Sequence, residues 1–333
     1  MLPIPGQYTL STKTQNPRHT LGARVEGHMG TVFRYARALE SITRGQLVGP
    51  RVYATISTGI TAAANTRTFT SSGSTFTKRV TRPDGTVTTW EAPAIGSILH
   101  VSAGTGKEQF ARVTDVLSTT KLGVKVIGRT NGTWGTALAA TDTVRIVEPC
   151  VVQYDVDDAY GLPPYGYALG TIASGDFAYF LARGVGECVP NTTVAGVRLI
   201  PSPTAGQVEP CELFGSATWD AGAIADGDEE AKEVTVTGAA LGDFVQASLS
   251  IDVADLALVA AVTAANTVTA LLLNNTGGAI DLASATIYVH VDKRFTAART
   301  FDCGVLLSAP GTAGDQGLVL CDLLSGVEGN WYF

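Results

Sequence analysis

The sequence is short of what a strongly charged, metal-dense or membrane-crossing protein needs. Of its 333 residues only 16% are charged and 4 are histidine, and the formal net charge is -7. Nonspecific phosphate binding needs accumulated positive charge, so composition offers no broad nucleic-acid surface. Lys78, Arg79 and Arg82 make a local basic cluster, weak against an acidic whole. Apolar runs stop well before the roughly 20 residues that a membrane helix requires. Even LALVAAVTAANTVTALLL carries an Asn and several Thr, with a turn signal in its middle. The opening MLPIPGQYTLSTKTQNPRH lacks a basic stretch followed by a sustained apolar one, so secretion is not implied. The five cysteines, Cys150, Cys188, Cys211, Cys303 and Cys321, are too far apart for a CxxC motif or a zinc knuckle. Their odd number leaves at least one unpaired in a monomer. We expect buried free thiols and assembly in a reducing compartment.

Motifs that carry chemistry are equally sparse. There is no GxSxG elbow, no HExxH and no HxE followed by CxxC. GTGK at Gly104–Lys107 matches part of a phosphate loop, but Glu108 stands where Ser or Thr would hold magnesium, so an ordinary turn is expected. Asp155, Asp157 and Asp158 form a carboxylate cluster without a facing acid or oxyanion donor, which reads as a loop or interface. Asp226, Asp228, Glu229 and Glu230 offer hard oxygens without the spacing of a calcium loop, and read as a solvated acidic turn. In TIYVHV, Ile287, Val289 and Val291 share one strand face, leaving Tyr288 and His290 on the other. His290, without a partner at ligand spacing, reads as a surface or interface side chain. Asn131, Asn191 and Asn274 begin glycosylation-type triplets that we read as turn markers. No catalytic residue, cofactor or metal ligand is assigned, and a non-enzymatic protein is expected.

What the chain has in quantity is turn and strand material: Gly 37, Pro 14 and abundant Thr and Ala. Short alternating runs between Gly, Asn and Asp turns recur throughout, most clearly from Thr235 to Val291. The fold class expected is mainly β, with small β-barrel-like domains followed by a β-sandwich-like module. Residues 1–25, with Pro3, Pro5 and Pro17, read as an extended N-terminal arm. Residues 26–149 read as an N-terminal β region with an inserted subdomain, including a turn at Arg82–Gly85 and a hairpin turn at Asn131 and Gly132. A boundary is expected near Pro149. Residues 150–225 read as a small β-barrel-like domain in which Tyr165, Tyr167, Phe177, Tyr179 and Phe180 pack a sheet face. The acidic run then leads into the module at 226–295, and 296–333 reads as a C-terminal return or intersubunit segment.

Two stretches of the middle of the chain, YGYALGTIASGDFAYFLARGVGECVP from Tyr165 to Pro190 and AGVRLIPSPTAGQV from Ala195 to Val208, resemble small β domains of tailed-bacteriophage head decoration, or capsid cement, proteins. The earlier LGARVEGHMGTVFRYARALESITRGQLV, Leu21 to Val48, resembles the start of the same kind of protein. GAALGDFVQASLS, VTAANTVTALLLNNTGG and IDLASATIYVHV resemble a β module of phage virion proteins. Residues 53–149 depart from the compact decoration proteins.

The resemblance implies a virion protein on the outer capsid surface, assembled in the host cytoplasm. Its partner would be the phage major capsid protein, whose subunits it would bridge as a homo-oligomer such as a trimer. Direct nucleic-acid or membrane binding is not expected, and a host-surface glycan is left open as a ligand of the last module. A tail, collar or fibre component is the alternative, followed by a carbohydrate-binding or hydrolytic virion protein. From the chemistry of the chain ends, the candidate interface residues are Arg18, His19, Arg24, Trp331, Tyr332 and Phe333.

Overall fold

The computed structural model describes residues 19, 21–27, 30–83, 85–154, 163–192, 194–294 and 301–323. Every regular element among them is a strand, and nearly all pairings are antiparallel. No helix of the described residues is long and apolar enough to cross a membrane. The fold is mainly β, as the recurrent Gly, Asn and Asp turns between alternating runs predict.

The chain builds one base and returns to it twice. Strands Val32–Ala38, Leu47–Ile56, Gly166–Ala168 and Phe177–Cys188 form its centre, within a 15-stranded sheet. Two loops clasp each other there. Ile42 and Ile172 exchange backbone hydrogen bonds of 2.9 and 2.8 Å. The Gly45 amide donates to Ala168 and the Gly175 amide to Ala38, while the Ala168 amide donates to Gln46 and the Ala38 amide to Asp176. Tyr165 also donates its hydroxyl to the Tyr35 carbonyl, 130 positions away, and the same offset separates Ile42 from Ile172 and carries the Gly45–Ala168 bond onto the Gly175–Ala38 bond. AxxxIxxG recurs at Ala38–Gly45 and Ala168–Gly175, so the clasp is an approximate two-fold between related β-loop-β units. Tyr165, Tyr167, Phe177 and Phe180 are buried around it, which is the packing role their alternation predicts.

The first excursion leaves along Leu47–Ile56 and comes back along Thr143–Gln153, which pairs with it from Val144↔Ile56 to Gln153↔Val48. Between them lies a separate core that includes Phe69, Phe76, Leu99, Val113, Leu122, Val124 and Trp134. Pro149 does not interrupt the returning strand. It sits in the irregularity between Glu148 and Val151, where the missing N–H removes no ladder bond. The turn at Asn131 and Gly132 forms, with the Gly132 amide on the Arg129 carbonyl at 3.0 Å, but it does not join two paired strands. The hairpin of this region is instead Phe110–Ser118 with Lys121–Val126. The Asn-Gly turn serves to bring Trp134 into the core, where its indole donates to the Thr68 carbonyl at 2.9 Å. The Arg82–Gly85 turn does close a hairpin, pairing Val80–Thr81 with Val87–Thr89.

The second excursion departs after Val208–Pro210 and returns at Gly304–Ser308, both of which pair with Arg198–Pro201. Within it, Glu212–Trp219, Ala285–Asp292 and Phe244–Leu249 make one three-stranded sheet, and Glu229–Thr235, Thr267–Leu273 and Ala257–Ala264 another. Trp219, Val234, Val268, Leu272, Ile287, Val289 and Val291 share one core between them. The module therefore begins at Glu212, and much of the acidic run is its strand Glu229–Thr235 rather than a lead-in. Glu230 is drawn inward because its carboxylate accepts the Trp219 indole N–H at 3.2 Å. Asn274, one of the triplet asparagines, is a buried turn post that donates to the carbonyls of Ile224 and Gly278.

All five cysteines are buried and free. Burial pushes the thiols of Cys188 and Cys321 up to about 12, and raises the other three. A thiol near 12 is roughly one part in ten thousand thiolate at pH 8, and only the thiolate attacks. We therefore expect almost no reaction of the folded chain with a disulfide reagent at that pH and five equivalents after unfolding in guanidinium. A fast stoichiometric thiol in the native chain would contradict this burial.

Candidate functional site

An irregularity in Phe177–Cys188 creates the exposed face of the base. The register with Val32–Ala38 shifts between Leu181 and Arg183, so the strand changes phase. Beyond that point Arg183, Val185 and Glu187 face outward. The neighbouring strand Gly317–Asp322 alternates strictly, with Gly317, Val319 and Cys321 buried and Leu318 and Leu320 exposed. Val185 lies opposite Leu320, which lies opposite Val305, giving an apolar row across three strands. Val185 is 55% exposed, Leu320 48% and Leu307 46%.

Ion pairs border this row. Arg183 meets Asp322 at 3.5 Å, Arg198 meets Asp302 at 3.2 Å, and Arg44 pairs with Glu187. The Asp302 carboxylate, which accepts a hydrogen bond from Arg198, holds that guanidinium above its ordinary pKa. Exposed pairs of this kind add little stability. What they do is surround an apolar centre with charge, the anatomy of a protein contact surface.

The residues expected at the interface are placed as follows. His19 packs its ring on Tyr35 and Tyr179, at 5.4 and 5.7 Å between centroids, so the end of the arm lies on the chain's own base. Arg24 sits in the short strand Arg24–Glu26, opposite Arg34 and 3.5 Å from Glu26. Arg18, Trp331, Tyr332 and Phe333 lie outside the described residues, as do Asp155, Asp157 and Asp158. Arg79, from the basic cluster, stacks on Trp90 at 5.0 Å, and Arg37 of the base stacks on the same indole at 4.8 Å. Trp90 also meets Phe177 at 5.1 Å, which ties the first excursion to the base.

One of the motifs weighed for chemistry is occupied internally, and a buried glutamate elsewhere is held in the same way. Asp142 is buried and accepts the amides of Thr105, Gly106 and Ala139 at 2.6, 3.3 and 3.0 Å. The protein's own carboxylate thus takes the amides that GTGK would turn toward a phosphate, and the segment is a turn, as its missing Ser or Thr predicts. Glu148 accepts the Ala94 amide at 2.9 Å and faces Arg51 at 3.7 Å. Burial nevertheless raises its carboxyl above the usual range, with the Ala94 N–H, Arg51 and Arg37 opposing the rise.

The outer face of the sheet Glu212–Trp219, Ala285–Asp292, Phe244–Leu249 gathers a second set. Register places Glu212 opposite Asp292 and Phe214 opposite His290, with Phe244 and Gln246 opposite the same two residues on the other side. The rings of Phe214 and His290 stack at 4.8 Å, only 5° from parallel. Phe214, Phe244 and Tyr288 are exposed on this face. His290, solitary in the sequence, therefore has carboxylates beside it: Asp292 two positions along its own strand, and Glu212 from a strand far away in the chain. The HVD spacing was the one legible signal, since positions i and i+2 of a strand share a face. Nothing comparable marks the Val185–Leu320–Val305 row, because only the pairing of the strands brings it together.

These features define a strand-built chain with an exposed apolar row and a GTGK turn whose amides are taken up internally. It matches no protein-family model and no curated protein.

Proposed function

We propose that the protein is a non-enzymatic structural component of a tailed-bacteriophage particle that binds the outer capsid surface and bridges capsid subunits. The observation that carries this reading is the exposed apolar row Val185–Leu320–Val305 inside its border of ion pairs, an arrangement suited to a macromolecular partner. It lies on the base, and the base is built from the segments that resemble decoration proteins, Leu21 to Val48 and Tyr165 to Pro190. In this reading the base sits on the capsid and the module from Glu212 to Asp292 faces outward. Many modest contacts, repeated over neighbouring copies, make release of any one improbable while the others hold.

The test is the location and copy number of the protein in intact particles by electron cryomicroscopy. Density at repeated capsomer junctions is expected, with the Val185 face toward the capsid. Density confined to the portal or tail would overturn the reading in favour of a tail or collar component. The variant carrying Val185→Asp and Leu320→Asp changes only exposed positions. It should fold like the wild type yet lose at least about tenfold in particle occupancy, since charge at the centre of a contact surface must be desolvated on binding.

A further inference from the structure

We propose that Glu212, His290 and Asp292 form a binding site for one first-row divalent cation, zinc being the best match, on the outer face of the C-terminal module. One ligand atom from each of the three lies within 4.8 Å of the others. His290 Nε2 is 3.5 Å from Asp292 Oδ1. Oxygen and nitrogen ligands of a single zinc ion sit at about 2.0–2.2 Å from it, and so roughly 3–3.5 Å from one another. The His290–Asp292 pair already has that separation. Glu212 needs only a change of side-chain torsion to join them, and its half-exposed position leaves room for one.

The state of the imidazole is the independent reason to look for a cation here. Its Nε2 is shielded from solvent and makes no hydrogen bond, although the ring itself is half-exposed. Phe214 stacks flat against that ring and limits its rotation, which leaves the nitrogen directed at two carboxylates. A proton on Nε2 would reach Asp292 only over 3.5 Å, longer than a good hydrogen bond. A cation would satisfy the nitrogen and both carboxylates at once. The two carboxylates bring two negative charges into one neighbourhood, and a divalent ion neutralises both. The imidazole favours zinc, nickel or copper over magnesium or calcium, which prefer oxygen alone. Three protein ligands leave a coordination position turned to solvent, between the exposed rings of Phe214 and Phe244. The proposal is independent of the capsid reading, which could fail without touching it.

Titration of the full-length chain with zinc alone, in a non-thiol reductant and followed by calorimetry, tests the site. One ion per chain is expected. His290→Gln and Glu212→Gln should each weaken binding by at least about tenfold, the scale at which even outer-shell partners matter, while Glu229→Gln, on the other sheet, should leave it unchanged. Both glutamine variants alter half-exposed positions, and equal melting temperatures without metal would verify their folding. Zinc should raise the melting temperature of the wild type and not that of His290→Gln, because only a ligand bound to the folded state stabilises it. Cobalt substitution should give a spectrum of nitrogen and oxygen ligands. Absence of saturable binding, equal affinity in His290→Gln, or a thiolate charge-transfer band placing the ion on cysteine would each overturn the assignment.

Discussion

Gly304→Ala is expected to open the base, at a cost of about 4 kcal/mol, while leaving the C-terminal module folded. Gly304 has φ +115, a conformation that residues with a Cβ rarely adopt. A Cβ built there would lie 2.3 Å from the Leu320 carbonyl oxygen and 2.9 Å from Cys321 Cα. Those are backbone atoms of the paired strand, so no side-chain rotation relieves the overlap. The strand Gly304–Ser308 must then move away from Gly317–Asp322 or from Arg198–Pro201, each of which it pairs with. Unfavourable backbone geometry costs about 1–3 kcal/mol and forced overpacking a similar amount. Hydrogen exchange reads the outcome by region. Amides of Arg198–Pro201 and Gly317–Asp322 should lose protection, and those of Ala257–Ala264 and Thr267–Leu273 should keep it. Loss of protection in both regions together would show that the base and the module unfold as one unit. Unchanged protection throughout would show that the strand tolerates a Cβ.

The second large effect belongs to the first excursion. Trp134→Ala removes a fully buried indole from the centre of its core, which costs about 3–5 kcal/mol as a cavity. It also leaves the Thr68 carbonyl without the indole N–H that it now accepts, about a further 1 kcal/mol. Trp134→Phe keeps much of the volume and forfeits the hydrogen bond, so roughly half the loss is expected. Urea unfolding monitored through exchange of Phe110–Ser118 and Lys121–Val126 would measure it. Equal stability of the alanine and phenylalanine variants would show that the hydrogen bond, not the packing, matters at this position.

Local properties of the chain were readable before its structure. Strand content, the Arg82–Gly85 turn, the burial of Tyr165, Tyr167, Phe177 and Phe180 and of the cysteines all follow from composition and spacing over a few residues. The order of pairing does not. Asn131 and Gly132 carry the strongest short hairpin signal, yet Trp134 takes the chain after the turn into the core, and tertiary packing decides its path. Pro149 marks a boundary by its chemistry and is absorbed instead by an irregular step in the ladder. The same limit applies to the two surface sites. Val185, Leu320 and Val305 come from three strands, and Glu212 joins His290 across the chain. Only register creates these neighbourhoods, and register is specified by distant burial patterns rather than by any local motif.

The clasp of Ile42 with Ile172, and the late return of Gly304–Ser308 and Gly317–Asp322, have a consequence for synthesis. Domains fold as units, and earlier ones fold first as the chain emerges. Both excursions are complete in sequence before the strands that finish the base are made, so the Val185–Leu320–Val305 row is a late surface to form. A chain released early would carry a finished C-terminal module without the strands that complete the base.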